Sequence, residues 1–142
     1  MKKAFNREAP IRFDFEDFTK NITKAHRIAT ERYGTDALFS LEETSEVLYY
    51  FFWKYEQERH VPHPRIRTDQ LVEILRKMPG IWIDSVHFTP FKSYVEPEEY
   101  PEMIDSYFET WYNESCDYNI NHFFSDGVWA VRYLNVFGLR GC

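Results

Sequence analysis

The sequence predicts a mainly α-helical fold: one domain over residues 1–142, built from five helices with a minor β element around 81–95. Three observations carry that expectation. Apolar residues recur at helical spacing in five stretches, recognisable start and stop residues bracket most of them, and only 81–95 is dominated by short β-branched and aromatic runs. A chain of 142 residues is about one ordinary domain, and at that size roughly two thirds of the unfolded surface can be buried. Apolar content of 44% with 28% charged residues places it among folded, water-soluble chains rather than disordered ones. Aromatic content is 19%, and rings bury large areas, so a wide core, an oligomer contact or both are expected.

The first helix starts at Asp14, with Asp17 in the turn where negative side chains suit the helix dipole. Phe15, Phe18, Ile22, Ala25, Ala29 and Tyr33 share one side, and Gly34 supplies a stop. Residues 1–13 ahead of it read as a partly flexible arm. A capping box of Ser40 and Glu43 opens the second helix, whose inner face is Leu41, Thr44, Val47, Leu48, Phe51, Phe52 and Tyr55. Tyr49 and Trp53 stand four residues apart on its opposite, acidic face. Thr68 caps the third helix, which presents Leu71, Ile74, Leu75 and Met78 and ends at Pro79-Gly80.

The β-like runs Ile81–Ile83 and Val86–Phe88, broken at Pro90, suggest a small hairpin. A fourth helix follows Pro97, with Pro101 tolerable only in its first turn and Met103, Ile104, Tyr107, Phe108, Trp111 and Tyr112 facing inward. Two readings compete for 118–137. Asp126-Gly127 between aromatic and β-branched runs is a hairpin signal. On a helical wheel, however, Ile120, Phe123, Phe124, Gly127, Ala130, Val131 and Leu134 gather in one arc, and the helix is the preferred reading. That wheel turns Trp129 and Tyr133 outward on the polar side.

Charge and cysteine usage narrow the function classes. No apolar run is long enough to span a bilayer, and the opening MKKAFNREAP has no apolar stretch behind its lysines, so a cytoplasmic chain with Cys116 and Cys142 as reduced thiols is expected. Net charge is −6, with residues 96–117 carrying eight acids and no base. Such a balance argues against non-specific nucleic-acid binding, which draws its affinity from phosphate neutralisation. No Gly-rich phosphate loop and no GxSxG elbow appear, and no cofactor is expected.

The stretch HVPHPRIRTDQL, residues 60–71, holds the sharpest candidates. His60 and His63 resemble metal ligands, with His87, His122, Cys116 or Asp117 as conceivable partners. No second short-spaced pair exists and the two sit in a loop, so they are weak candidates and no metal is expected. Cys116 and His122 suggest a nucleophile and base, but six residues along a continuous helix would point them about 120° apart. Acidic neighbours also work against a reactive thiol. The carboxylates of Glu98, Glu99, Glu102, Asp105 and Glu109 fit a solvated helix face, and His26 fits a packed position. The expectation is therefore no enzyme.

Two binding readings remain. Helices at 40–59 and 68–78 followed by a hairpin have the order of a winged helix-turn-helix, with Arg59, Arg65, Arg67, Arg76 and Lys77 as the nucleic-acid contact set. Against it, the joining segment has eight residues where the standard turn has three or four, and Gln70, Glu73 and Lys77 make a thin base-reading face. The other reading is a non-catalytic accessory protein that binds a protein partner, or itself, through the pairs Tyr49/Trp53 and Trp129/Tyr133, since Trp and Tyr are favoured anchors. If helices wrap both sides of the second helix, those rings become core instead. The interaction protein ranks first, the winged-helix DNA binder second and a metal-dependent enzyme third.

The segments CDYNINHFFSDG and HPRIRTDQLVEILRKMPG resemble short uncharacterised proteins carried on bacterial mobile elements, over about the last two thirds of the chain. That resemblance implies a bacterial cytoplasm and no particular chemistry.

Overall fold

The computed structural model describes residues 15–85 and 88–139. It is mainly helical, with six helices and one small antiparallel sheet: α1 (Phe15–Tyr33), α2 (Leu41–Arg59), α3 (Thr68–Lys77), β1 (Trp82–Ser85), β2 (Phe88–Lys92), α4 (Tyr100–Glu109), α5 (Ile120–Phe123) and α6 (Asp126–Phe137). The expected Asp14 cap, the N-terminal arm, Val86, His87 and Cys142 lie outside the described residues.

Helix α2 is the common wall of the molecule: α1 packs on it from one side and α4 from another, while α3 lies along α1 and α6 along α4. Its start is the expected capping box, with Ser40 Oγ accepting from the Glu43 amide at 3.1 Å and Glu43 Oε1 accepting from the Ser40 amide at 3.0 Å. Its end is held by His60 in the left-handed conformation (φ 63°), whose amide donates to Glu56 O. Val47, Leu48, Phe51, Phe52 and Tyr55 are buried as expected, whereas Leu41 stays exposed at the helix mouth. Because two helices flank α2, Tyr49 and Trp53 are half-buried. Tyr49 meets Phe18 of α1 edge-on, at 6.3 Å between ring centres, and Trp53 leans on Tyr50 at 5.5 Å. Tyr50 in turn donates to Asp105 of α4.

Helix α3 begins one residue earlier than expected. Arg67 holds the capping position, its amide donating to Gln70 Oε1, while the Thr68 hydroxyl donates to Asn21 Oδ1 at 3.2 Å. Asn21 also donates to Ile66 O, so one polar side chain of α1 fixes the entry to α3. The hairpin pairs Trp82 with Lys92, Ile83 with Phe91 and Ser85 with Phe88, the register shifting between Ile83 and Ser85. The shift places one extra residue on β2, and Pro90 falls within it. The second strand therefore runs through Pro90 instead of stopping there, since a bulge spares a proline the ladder hydrogen bond that it lacks a donor for.

The C-terminal stretch is helical, as preferred, but it is two helices rather than one. At Ser125 the chain turns extended (ψ 144°), and the Ser125 hydroxyl donates to His122 O at 2.7 Å. Ser125 O then accepts from the Trp129 amide as the first bond of α6. The break resets the helical phase. Ile120, Phe123 and Phe124 stay inside as the wheel had them, but beyond Ser125 the buried residues are Trp129, Arg132 and Tyr133, and Val131 is exposed. A wheel weighs residues equally, whereas an indole and a phenol bury far more surface than Ala130 and Val131.

Candidate functional site

The break at Ser125 withdraws Trp129 and Tyr133 as contact residues. Both are fully buried, stacked on one another at 5.3 Å and 13°, and this corrects the outward orientation expected of them. Tyr49 and Trp53 are half-covered by α1 and Tyr50. The exposed large rings with described side chains are elsewhere: Trp82 at 67%, Tyr94 at 64% and Trp111 at 74%.

Trp82 and Tyr94 belong to one surface. Cross-strand partners share a face, so Trp82 and Lys92 stand together while Ile83 and Phe91 point into the core, and Tyr94, just past the end of β2, lines one groove with both. The Lys92 ammonium lies 5.8 Å from the centre of the Tyr94 ring. Beside this face runs an open groove of about 580 Å³, lined by Arg76 and Lys77 from the end of α3, Gly80, Tyr33, Asp36 and Asp126 among others. Ser93 fixes the hairpin to that helix end: its amide donates to Ile81 O at 2.9 Å and its hydroxyl to the same oxygen at 2.8 Å. Val95 N–H closes the arrangement on Pro79 O.

Of the five basic residues expected to contact nucleic acid, Arg65 and Arg67 precede or open α3, Arg76 and Lys77 end it and Arg59 ends α2, and all have local partners. Arg65 pairs with Asp17 at 2.6 Å, Arg67 grips Asp69 through Nε and Nη2, and Arg76 grips Glu73. Lys77 lies between Asp126 at 3.1 Å and the Phe124 carbonyl, and Arg59 lies over the Tyr118 ring. Arg76 and Glu73 push one another toward their charged forms, which lowers the carboxyl from its usual value. The solvent side of α3 is thus locally compensated in charge.

His60 and His63 do not come together as ligands. His60 is the exposed left-handed end of α2. His63 is buried among Phe51, Phe52 and Tyr55, with ring centres 6.1, 4.8 and 4.6 Å away. Its Nδ1 donates to Pro64 O at 2.7 Å and its Nε2 accepts from the Ile120 amide at 3.0 Å, which assigns the Nδ1–H tautomer. No cluster of three His, Cys, Asp or Glu residues suited to a metal exists among the described residues. His63 is therefore a structural link from the 60–67 connector to the first residue of α5. Its replacement by alanine leaves the Ile120 amide buried without a partner, and urea unfolding should show a loss of about 2–3 kcal/mol.

Cys116 and His122, by contrast, are close. Their expected separation rests on a continuous helix from Cys116 to His122. The chain is irregular from Trp111 to Asn119, with Tyr118 in the left-handed region (φ 57°), and Cys116 Sγ lies 3.6 Å from His122 Nδ1. Nothing in the residue spacing announces that loop. Behind it, Arg132 is buried without an acidic partner among the described residues, its Nη1 donating to Ser106 Oγ and Thr110 Oγ1 at 2.9 and 2.8 Å. These hydroxyls belong to the C-terminal turn of α4, where a cation suits the helix dipole.

No known family model, curated protein or solved structure matches this chain. Among the described residues no helix is long and apolar enough to cross a membrane.

Proposed function

We propose that this chain is a non-catalytic binding protein that engages a protein partner through the outer face of the hairpin and the groove beside it. The single observation that carries this reading is the exposure of Trp82 and Tyr94 on either side of Lys92, in a molecule that packs most of its other rings. Trp, Tyr and Arg dominate binding energy where proteins meet, because a large ring fills a partner's pocket at small entropic cost. The groove mixes Arg76, Lys77 and Lys92 with Asp36 and Asp126. Charges of both signs suit a peptide surface better than a phosphodiester backbone, in which every repeat is negative.

Because both rings are exposed, a Trp82→Ala/Tyr94→Ala variant should keep its helical circular dichroism and melting temperature. It should bind the partner more weakly by at least about 2 kcal/mol for each anchor removed. Affinity capture with the parent, the double variant and Trp111→Ala, read by mass spectrometry, tests this. A protein retained by the parent and by Trp111→Ala but lost with the double variant is the expected result. Equal retention by all three would overturn the reading. Salt-sensitive binding of a labelled DNA duplex that weakens on Arg76→Ala/Lys77→Ala would put the nucleic-acid reading in its place.

A further inference from the structure

The thiol of the 110–119 loop and the imidazole of α5 take no part in the proposed binding surface, yet they lie side by side. With its proton on Nε2, His122 offers Nδ1 as an acceptor to two groups at once, Cys116 Sγ at 3.6 Å and the Tyr107 hydroxyl at 2.8 Å. The Tyr107 oxygen also lies 3.4 Å from the carbonyl oxygen of Asn119. A single hydroxyl proton serves only one of these acceptors at a time. While it points to Nδ1, the imidazole is occupied and the thiol keeps its hydrogen. Once it turns to Asn119 O, Nδ1 is open to Cys116.

Of the surrounding groups, the Asp117 carboxylate opposes an anion here, while the tyrosines stay neutral. Burial holds the Tyr107 hydroxyl far above the usual tyrosine range, so it remains a neutral donor. Tyr112, whose ring meets His122 at 4.9 Å, is raised by burial as well, against the opposing charge of Arg132. The Asp117 carboxylate is engaged by the amide and side chain of Asn119 at 3.2 and 2.7 Å, and Tyr118 donates to Thr110 O. Cys116 and His122 are each only half-buried.

We propose that Cys116 and His122 form a thiol–disulfide exchange site for small disulfides, with Tyr107 as the positioning residue that governs access to Nδ1. His122 takes the Cys116 proton, and the thiolate attacks one sulfur of a disulfide R–S–S–R. The Cys116–sulfur bond forms as the R–S–S–R bond breaks, and the second sulfur leaves with the electron pair and collects the proton from His122. Cys116 is oxidised to the mixed disulfide and the departing thiol is the reduced product.

Glutathione disulfide is the probe, and the mass of the adduct is the readout, in a Cys142→Ser background that leaves Cys116 as the sole thiol. At about pH 6.5 the parent should react faster than free cysteine does. His122→Asn should slow the reaction at about pH 6.5 by about fivefold. Tyr107→Phe keeps the packed ring, frees Nδ1 and should speed the reaction, while His60→Asn should leave it unchanged. A parent rate at about pH 6.5 no greater than that of free cysteine would overturn the site whether or not the variants fold. A Tyr107→Phe rate at or below that of the parent would overturn the role given to Tyr107.

Discussion

Trp129→Ala should lower the free energy of unfolding by about 3–5 kcal/mol, a large share of the total of about 5–15 kcal/mol available to a domain of this kind. The indole is fully buried and stacked on Tyr133. Its Nε1–H donates to the Tyr100 hydroxyl at 3.1 Å, and that hydroxyl donates to the carbonyl of Met78. One side chain of α6 is thereby tied through α4 to the end of α3. Removing it opens a cavity and leaves Tyr100 with one bond fewer at a site where burial already holds its hydroxyl neutral. Trp129→Phe keeps most of the ring but not the donor, and should cost about 1–3 kcal/mol. Chemical denaturation read by far-ultraviolet circular dichroism measures both. A loss below about 1 kcal/mol for the alanine variant, typical of a surface position, would contradict the packing described here.

Gly80→Ala should be comparably damaging, at about 3 kcal/mol or more, although it adds only a methyl group. Gly80 has φ 147°, a backbone conformation that side chains of L-residues rarely adopt. A Cβ built there would overlap the Ser93 carbonyl oxygen and stand 3.1 Å from Tyr94 Cα. Both neighbours are backbone, so the hairpin has to move away from α3, with the Ser93–Ile81 and Val95–Pro79 bonds at risk. Gly127 provides the contrast. A Cβ there meets nothing within 4 Å, and Gly127→Ala in the first turn of α6 should be neutral or stabilising by up to about 1 kcal/mol. The difference between the two melting temperatures is the measurement, and similar values would refute the close approach at Gly80.

Local signals were legible wherever a residue's role depends on its own neighbours in the chain. The capping box at Ser40 and Glu43, the stop at Pro79-Gly80 and the tolerance of Pro101 in a first helical turn all follow from short-range backbone chemistry. The apolar stripes of α1, α2 and α3 were equally visible, because their spacing is set by helix geometry. What failed was phase. One serine that hydrogen-bonds back to His122 O interrupts the helix, and every later residue turns to a different face. The candidate surface suffered from the same cause, since it was placed on Trp129 and Tyr133. Trp82 and Tyr94 were available in the sequence as residues of a hairpin, but their exposure depends on which side of the two strands meets α3. The closeness of Cys116 to His122 depends on a loop with a left-handed Tyr118, for which a tyrosine gives no local cue.

The place of α2 has a consequence for how the chain comes apart. Neither α1 with α3 nor α4 with α6 can detach alone without baring a side of α2 rich in phenylalanine and tyrosine. Loss of structure should therefore be all-or-none, with the amides of Leu48 to Tyr55 the last to exchange with deuterium.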